Sequence, residues 1–228
     1  VTAVKEGTAT ITATVKNAKY TCKVTVVDSN KGKKSESKKK FDAAAVAKKM
    51  KVTSEYKYSQ NYSLYYYQFV VVKNTSDYDV QLSAKVKFFD EDGSIIGVAN
   101  DSVSVLGADE EVCLRFSNDH DYASYEVTFS VSESRLYSPV VKNITVNTSK
   151  IDNKVIIEAA NSGKKDAMFV QYQLFFFNGD ELVGEDWGYI GDSDSEIKSG
   201  CTELKEVSNL NRTTFDNVKV YLSGRAKR

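Results

Sequence analysis

A repeat constrains this chain more than any other feature. The stretch Phe69-Val-Val-Val-Lys-Asn74 returns about 87 residues later as Val155-Ile-Ile-Glu-Ala-Ala-Asn161, with the same landmarks following in order. After each asparagine comes a short polar loop, then an apolar strand ending in aromatics, Val86-Lys-Phe-Phe89 in one copy and Leu174-Phe-Phe-Phe177 in the other. Each strand meets a turn signal, Asp92-Gly93 or Asn178-Gly179, and then a second apolar strand closed by glycine, Ile95-Ile-Gly97 or Leu182-Val-Gly184. Cys113 and Cys201 are read as matching positions. A duplicated β-unit of this size implies two tandem copies of a small all-β domain. Arrays of that kind display or bind more often than they catalyse.

The chain has 228 residues, enough for two or three small domains. A single Pro beside 14 Tyr and 11 Phe favours strands, since aromatics fit a half-buried pleated surface and proline removes a ladder donor. No apolar run reaches the ~18 residues a membrane-spanning helix needs. The chain opens at Val1 within a strand pattern, so it is read as a fragment, and the lack of a leader carries no information on location.

Net charge is zero but unevenly spread: +9 through Lys51 and −9 beyond it. The basic excess gathers at Lys31-Gly-Lys-Lys34 and Lys38-Lys-Lys40. A solvated linker is the reading adopted. Contact with a polyanion such as wall teichoic acid or nucleic acid is the competing one, since lysine runs attract any phosphate polymer. Three cysteines, with no C-x-x-C spacing, are read as three buried free thiols, Cys22 alternating with Tyr20 and Val24 toward a core.

Along the chain, residues 1–28 read as a hairpin, with Gly7 to Val15 and Tyr20 to Val27 carrying β-branched residues at period two. Residues 29–52 form a Lys/Ser-rich linker and one short helix, Phe41 to Met50. Asp42 would cap it, Lys48 and Lys49 would fill its last turn, and Phe41, Val46 and Met50 would face its partner. Residues 53–138 and 139–228 are the two β-units, with Pro139 at the join. In the first, Val80, Leu82, Ala84, Val86 and Phe88 alternate with polar residues, giving one buried and one wet face. Met168, Val170, Tyr172, Leu174 and Phe176 take the equivalent face in the second.

Val1-Thr-Ala-Val-Lys-Glu-Gly-Thr-Ala-Thr-Ile-Thr-Ala13 and Cys22-Lys-Val-Thr-Val26 resemble the C-terminal strands of a group-2 bacterial immunoglobulin-like domain, of which only the last hairpin is present. Asn74-Thr-Ser76, Phe88-Phe-Asp-Glu-Asp-Gly93 and the segment Tyr122 to Val131 resemble the FxLYD family of small bacterial β-sandwiches, as do Phe175-Phe-Phe-Asn-Gly179 and Ile197-Lys-Ser-Gly200. Phe89 replaces the family's tyrosine, and neither copy carries the proline of its late turn. The resemblance implies an all-β chain: two tandem Ig-like/FxLYD-like β-sandwiches preceded by a short helix and a partial Ig-like hairpin. It further implies an extracellular or surface protein of a bacterium, Gram-positive by expectation, without shared catalytic residues.

Chemistry-bearing constellations are sparse. His120 stands alone among loop acids, with no second histidine and no nucleophile on an elbow. The acidic runs Asp90-Glu-Asp92 and Asp192-Ser-Asp-Ser-Glu196 could approach Ca²⁺, yet neither has EF-hand spacing and Asp favours turns for local reasons. No metal and no cofactor is expected. The six Asn-x-Ser/Thr sequons are incidental in a bacterial protein. The aromatics are the stronger lead. Tyr56, Tyr58, Tyr62 and Tyr65 to Tyr67 crowd one strand and its approach, while Trp187 and Tyr189 share a face of another. Trp187, Tyr189, Tyr65 and Tyr67 are the candidate binding residues, because an exposed aromatic face stacks on sugars or anchors proteins.

The expectation is a non-catalytic part of a bacterial secreted or cell-surface protein, serving adhesion, ligand binding or display. The alternative is a pair of accessory targeting domains of a larger cell-wall or polysaccharide-processing enzyme. Its partner would be a glycan, a cell-wall polymer or a surface protein, and not nucleic acid.

Overall fold

The computed structural model describes residues 7–15, 18–26, 40–59, 64–191, 195–211 and 213–228. The chain divides into two compact units, Val1–Lys40 and Phe41–Arg228. In the first, β1 (Gly7–Val15) and β2 (Ala18–Val26) pair antiparallel, Gly7 opposite Val26 and Ile11 opposite Cys22. The expectation that Cys22 is buried is overturned: Cys22 is exposed, as is its neighbour Ile11. Two paired strands cannot bury a face against each other, so alternation alone produces no core. The lysine runs at 31–34 and 38–39 lie outside the described residues.

In the second unit, α1 (Ala43–Ala47) is half the length read from the sequence. Asp42 caps it as expected, its carboxylate accepting the N–H groups of Ala44 and Ala45 at 3.0 and 3.1 Å. Lys48 and Lys49 form the turn after it rather than its last turn, because Met50 already pairs with Asn74 in a sheet. Val46 and Met50 are buried, with Phe41 packed against the same core.

The chain then forms β3 (Met50–Ser59), β4 (Tyr66–Asn74), β5 (Val80–Phe89), β6 (Ile95–Leu106), β7 (Glu111–Asn118) and β8 (Ser124–Glu133). Antiparallel sheets β3-β4-β7 and β6-β5-β8 face each other across Val70, Val72, Leu82, Val86, Phe88, Leu114 and Phe116. β5 alternates as expected, with Val80, Leu82, Ala84, Val86 and Phe88 all inward. The Asp92-Gly93 turn has the required backbone, with Gly93 at φ +79°. Asp90 serves that turn, accepting the Ser94 N–H at 2.7 Å.

The second copy follows β9 (Tyr137–Pro139) and comprises β10 (Ile144–Ile151), β11 (Lys154–Asn161), β12 (Ala167–Asn178), β13 (Glu181–Tyr189), the short β14 (Glu196–Ile197), β15 (Thr202–Ser208) and β16 (Asn217–Lys227). Its sheets are β10-β11-β15 and β13-β12-β16, strand for strand the order of the first copy, with β9 added beside β16 and β14 beside β12. Gly179 takes φ +58° at the matching turn. Val155, Ile157, Val170, Tyr172, Leu174, Phe176 and Ile197 fill its core. Met168 does not join them. Phe169 adopts φ +52° and the β12–β16 register slips between Met168 and Gln171, so Ala167 points inward instead.

Two asparagine devices recur. Asn74 is fully buried, its amide donating to the carbonyls of Tyr78, Leu106 and Gly107 while its oxygen accepts the Ser76 N–H. Asn161 repeats this with Lys165, Ile197 and the Gly163 N–H. Each ties the end of a strand to the loop crossing above it, which explains why an asparagine recurs at this place in both copies. The second device pairs an asparagine with a glycine distant in sequence. Asn118 and Asn209, both buried, sit against Gly97 and Gly184, where a Cβ would come within 1.9 and 3.0 Å of the asparagine oxygen. Asn118 is held by a 2.8 Å bond to the His120 carbonyl and cannot retreat cheaply. Gly97→Ala is therefore expected to cost about 2–3 kcal/mol and Gly184→Ala about 1 kcal/mol, read by urea unfolding. Equal costs at the two sites would contradict the geometry.

The cysteines do not correspond as read. Cys113 pairs with Val71 in β7, and the matching partner of β11, Glu158, faces Leu204. Cys201 instead takes the place of Glu110: each carbonyl accepts the N–H of its copy's asparagine, Asn74 or Asn161. Nor are all three buried, for Cys201 is exposed like Cys22, and Cys113 is half-buried against the aromatic rings around Phe175. Burial, with Asp101 and Glu185 nearby, pushes the Cys113 thiol well above its ordinary range. At pH 8, a thiol reagent should label Cys22 and Cys201 within minutes and Cys113 only after unfolding. Rapid labelling of all three thiols would contradict the packing.

Candidate functional site

The two sandwiches meet face to face. The runs Phe69-Val-Val-Val72 and Leu174-Phe-Phe-Phe177 are buried on both sides of their strands. Val70, Val72, Leu174 and Phe176 point into their own cores. Phe69, Phe175 and Phe177 point outward into a third core shared with Tyr56, Tyr58, Tyr67, Leu182 and Tyr221. Phe175 sits at its centre, 4.6 Å from the Tyr56 ring and 4.9 Å from the Phe69 ring. The expectation of a wet outer face therefore holds for β5 and fails for β12. At the position of Phe175, β5 carries Lys87.

Polar contacts fix the seam around this core. The Glu110 carboxylate, buried, accepts the Gly107 N–H at 2.8 Å within the first copy and the Lys142 N–H at 3.1 Å from the second. Arg115 on β7 donates to Glu185 on β13 at 3.2 Å, and its guanidinium lies 4.1 Å over the Tyr67 ring. Asn211 donates to the Tyr58 hydroxyl, and Tyr56 and Tyr221 hydroxyls stand 3.3 Å apart. Burial raises the carboxyl of Asp101 above its usual range despite N–H bonds from Arg115 and Ser102, and burial does the same to Asp186 beside the Tyr172 hydroxyl.

All four candidate residues fall along this seam. Trp187 and Tyr189 project from β13 on the side facing the first copy, and both are exposed, at 47% and 41%. Trp187 thus lies at the surface. Tyr65 is exposed, its ring 6.4 Å from that of Tyr67, which is half-buried in the third core. Arg115, over Tyr67 and 5.8 Å from the Trp187 ring, links the two tyrosines to the tryptophan. Tyr189 lies farther along and lines a separate cleft.

That cleft, of about 300 Å³, opens between β6 of the first copy and β12, β13 and β16 of the second. Its walls include Phe169 and Tyr189, and its polar groups include Gln81, Ser102, Ser104, Gln171 and Arg225. Arg225 is held between the rings of Tyr137 and Phe169, 4.4 and 4.5 Å from their centroids, and donates to Ser104 at 3.1 Å. Phe169, Arg225 and Arg115 escaped the sequence reading. Only a break in the β12 alternation hinted at Phe169. The arginines had no motif around them, since their hydrogen-bond partners in the other copy, Glu185 and Ser104, lie 70 and 121 residues away in the chain.

His120 is an exposed loop residue whose carbonyl serves Asn118. Among the described residues no cluster of three His, Cys, Asp or Glu side chains could hold a metal ion. Residues 192–194 of the second acidic run lie outside the described residues. The sequon at Asn74 is closed to modification in the folded state, because its amide donates to three carbonyls. Stacking, hydrogen bonding and charge pairing are what these walls offer. Neither the family models nor the curated proteins searched give a match to this chain.

Proposed function

We propose that the chain is a non-catalytic binding segment of a bacterial secreted or surface protein, and that the seam between the two sandwiches is its binding face. The observation that carries this is the exposure of Trp187 at the seam and of Tyr189 on the wall of a cleft bounded by both copies. Large aromatics left half in water on a rigid sheet bring contact area with few rotamers to freeze. The resemblance of the first 28 residues to a group-2 Ig-like domain, and of the two copies to FxLYD sandwiches, supports a setting outside the cell. In that setting the segment attaches its parent protein to a glycan, a wall polymer or a surface protein.

The test is retention of the labelled chain on a glycan panel, purified cell wall and whole bacterial or host cells. Trp187→Ala and Tyr189→Ala should each weaken retention about tenfold or more, the size of an aromatic hot spot. Because both side chains are near half exposed, neither change should shift the melting temperature by more than a degree or two. Retention unchanged in both variants would remove the seam from the account, and no retention on any surface would remove the binding reading altogether.

A further inference from the structure

The cleft has a chemistry more specific than an aromatic platform, and Arg225 supplies it. A guanidinium carries five N–H donors and never loses its charge near neutral pH. Here one bond to Ser104 is formed, and Nε is buried with no acceptor. No carboxylate pairs with Arg225 among the described residues, and neither Asp nor Glu lines the cleft. That absence of acid is local, for beyond Lys51 the chain carries a surplus of nine acids. The two flanking rings, Tyr137 and Phe169, hold the guanidinium plane in place without neutralising it.

Phe169 is the second unusual feature. A bulky side chain at φ +52° is seldom tolerated, yet here the bulge sets its ring on the outward face of β12. The ring thereby covers Arg225 and forms one wall of the cleft. Tyr189 adds a further aromatic surface, and Gln81, Gln171 and Ser102 add amide and hydroxyl groups that both donate and accept. Aromatic walls suit the apolar face of a pyranose, and amides and hydroxyls suit its hydroxyl groups. The planar fork of arginine matches a carboxylate bidentately. At about 300 Å³ the cleft lies at the small end of ligand sites, fitting a terminal or single ring.

Resting on the binding reading above, we infer that this cleft recognises a carboxylated sugar of the hexuronate type, its carboxylate paired with Arg225 and its ring against Tyr189 and Phe169. The test is calorimetric titration of the whole chain with an oligogalacturonide and with the same oligomer as its methyl ester. The acid should bind about tenfold or more tightly than the ester, since the ester loses a charge-assisted pair, and the difference should shrink with added salt. Tyr189→Ala should weaken binding of the acid with the melting temperature kept. Arg225→Gln should abolish the preference for acid over ester. Arg225 also bridges the seam, so the acid–ester comparison on the unaltered chain decides the matter if that variant fails to fold. Equal binding of acid and ester, no binding of the acid, or acid binding indifferent to Tyr189→Ala would each overturn the inference. In those cases retention on the surface panel, lost in Trp187→Ala, would still uphold the broader reading. Failure of both experiments would end both.

Discussion

Phe175→Ala is expected to cost about 3–5 kcal/mol, the range for emptying a fully buried aromatic site. The loss should fall in an unusual place. Phe175 is fully buried, but it belongs to the core between the sandwiches, packed on Tyr56, Phe69 and Tyr221. Each sandwich keeps its own interior when this ring is removed. The intact unit should unfold in one transition, with the fluorescence of its single tryptophan, Trp187 at the seam, tracking the circular dichroism of the strands. In Phe175→Ala the fluorescence change should come at lower denaturant than the loss of strand signal. Coincident curves with a cost under about 1 kcal/mol would mean the third core holds little.

Asn74→Asp should be comparably severe although it changes hardly any volume. The Asn74 amide points at the carbonyls of Tyr78, Leu106 and Gly107, 2.8 to 3.1 Å away, and a carboxylate there has nothing to donate. Placing a buried anion against three carbonyl oxygens should cost about 3–5 kcal/mol at pH 7. Such a carboxyl has its folded pKa raised above the unfolded value, so the penalty is fully present above the folded pKa. It shrinks as pH falls through that value, because the protonated acid can donate one bond. Urea midpoints of Asn74→Asp relative to the parent should thus converge on acidification from pH 7 to 5. A gap that stays constant or widens would place the amide's role elsewhere.

Much of the fold is legible in the chain because the duplication marks each landmark twice. Asn74 and Asn161, the turns at Gly93 and Gly179, and the alternation of β5 all follow from local rules of hydrogen bonding and period two. What escaped depends on partners distant in sequence. Phe69 and Phe175 lie in continuous apolar runs, the pattern of a strand covered on both faces, yet an apolar run alone does not say what covers it. Cys113 and Cys201 stood at plausible matching places, but the segment before β15 differs in length from that before β7, and the true partners are Leu204 and Glu110. Trp187 and Tyr189 were visible as candidates because aromatics are conspicuous. Arg225 and Phe169 were not, since a bulge and a cross-domain neighbour give them their character.

The divergence between the copies has a physical consequence. The outward face of the first copy's β5 carries Gln81, Ser83, Lys85 and Lys87, while the same face of β12 carries Phe169, Gln171, Gln173 and Phe175. One face stays wet and its duplicate has become adhesive. The contact joins unlike sheets of the two copies, so it could in principle propagate to a third.

Binding at the cleft requires the seam to be held at fixed geometry, since the cleft has walls from both copies. Residual dipolar couplings of the Phe41–Arg228 unit test this most directly. Amides of residues 50–133 and of residues 144–227 should fit one alignment tensor of common magnitude and orientation. Two different tensors would show sandwiches moving independently, and neither the cleft nor the third core would then exist as described.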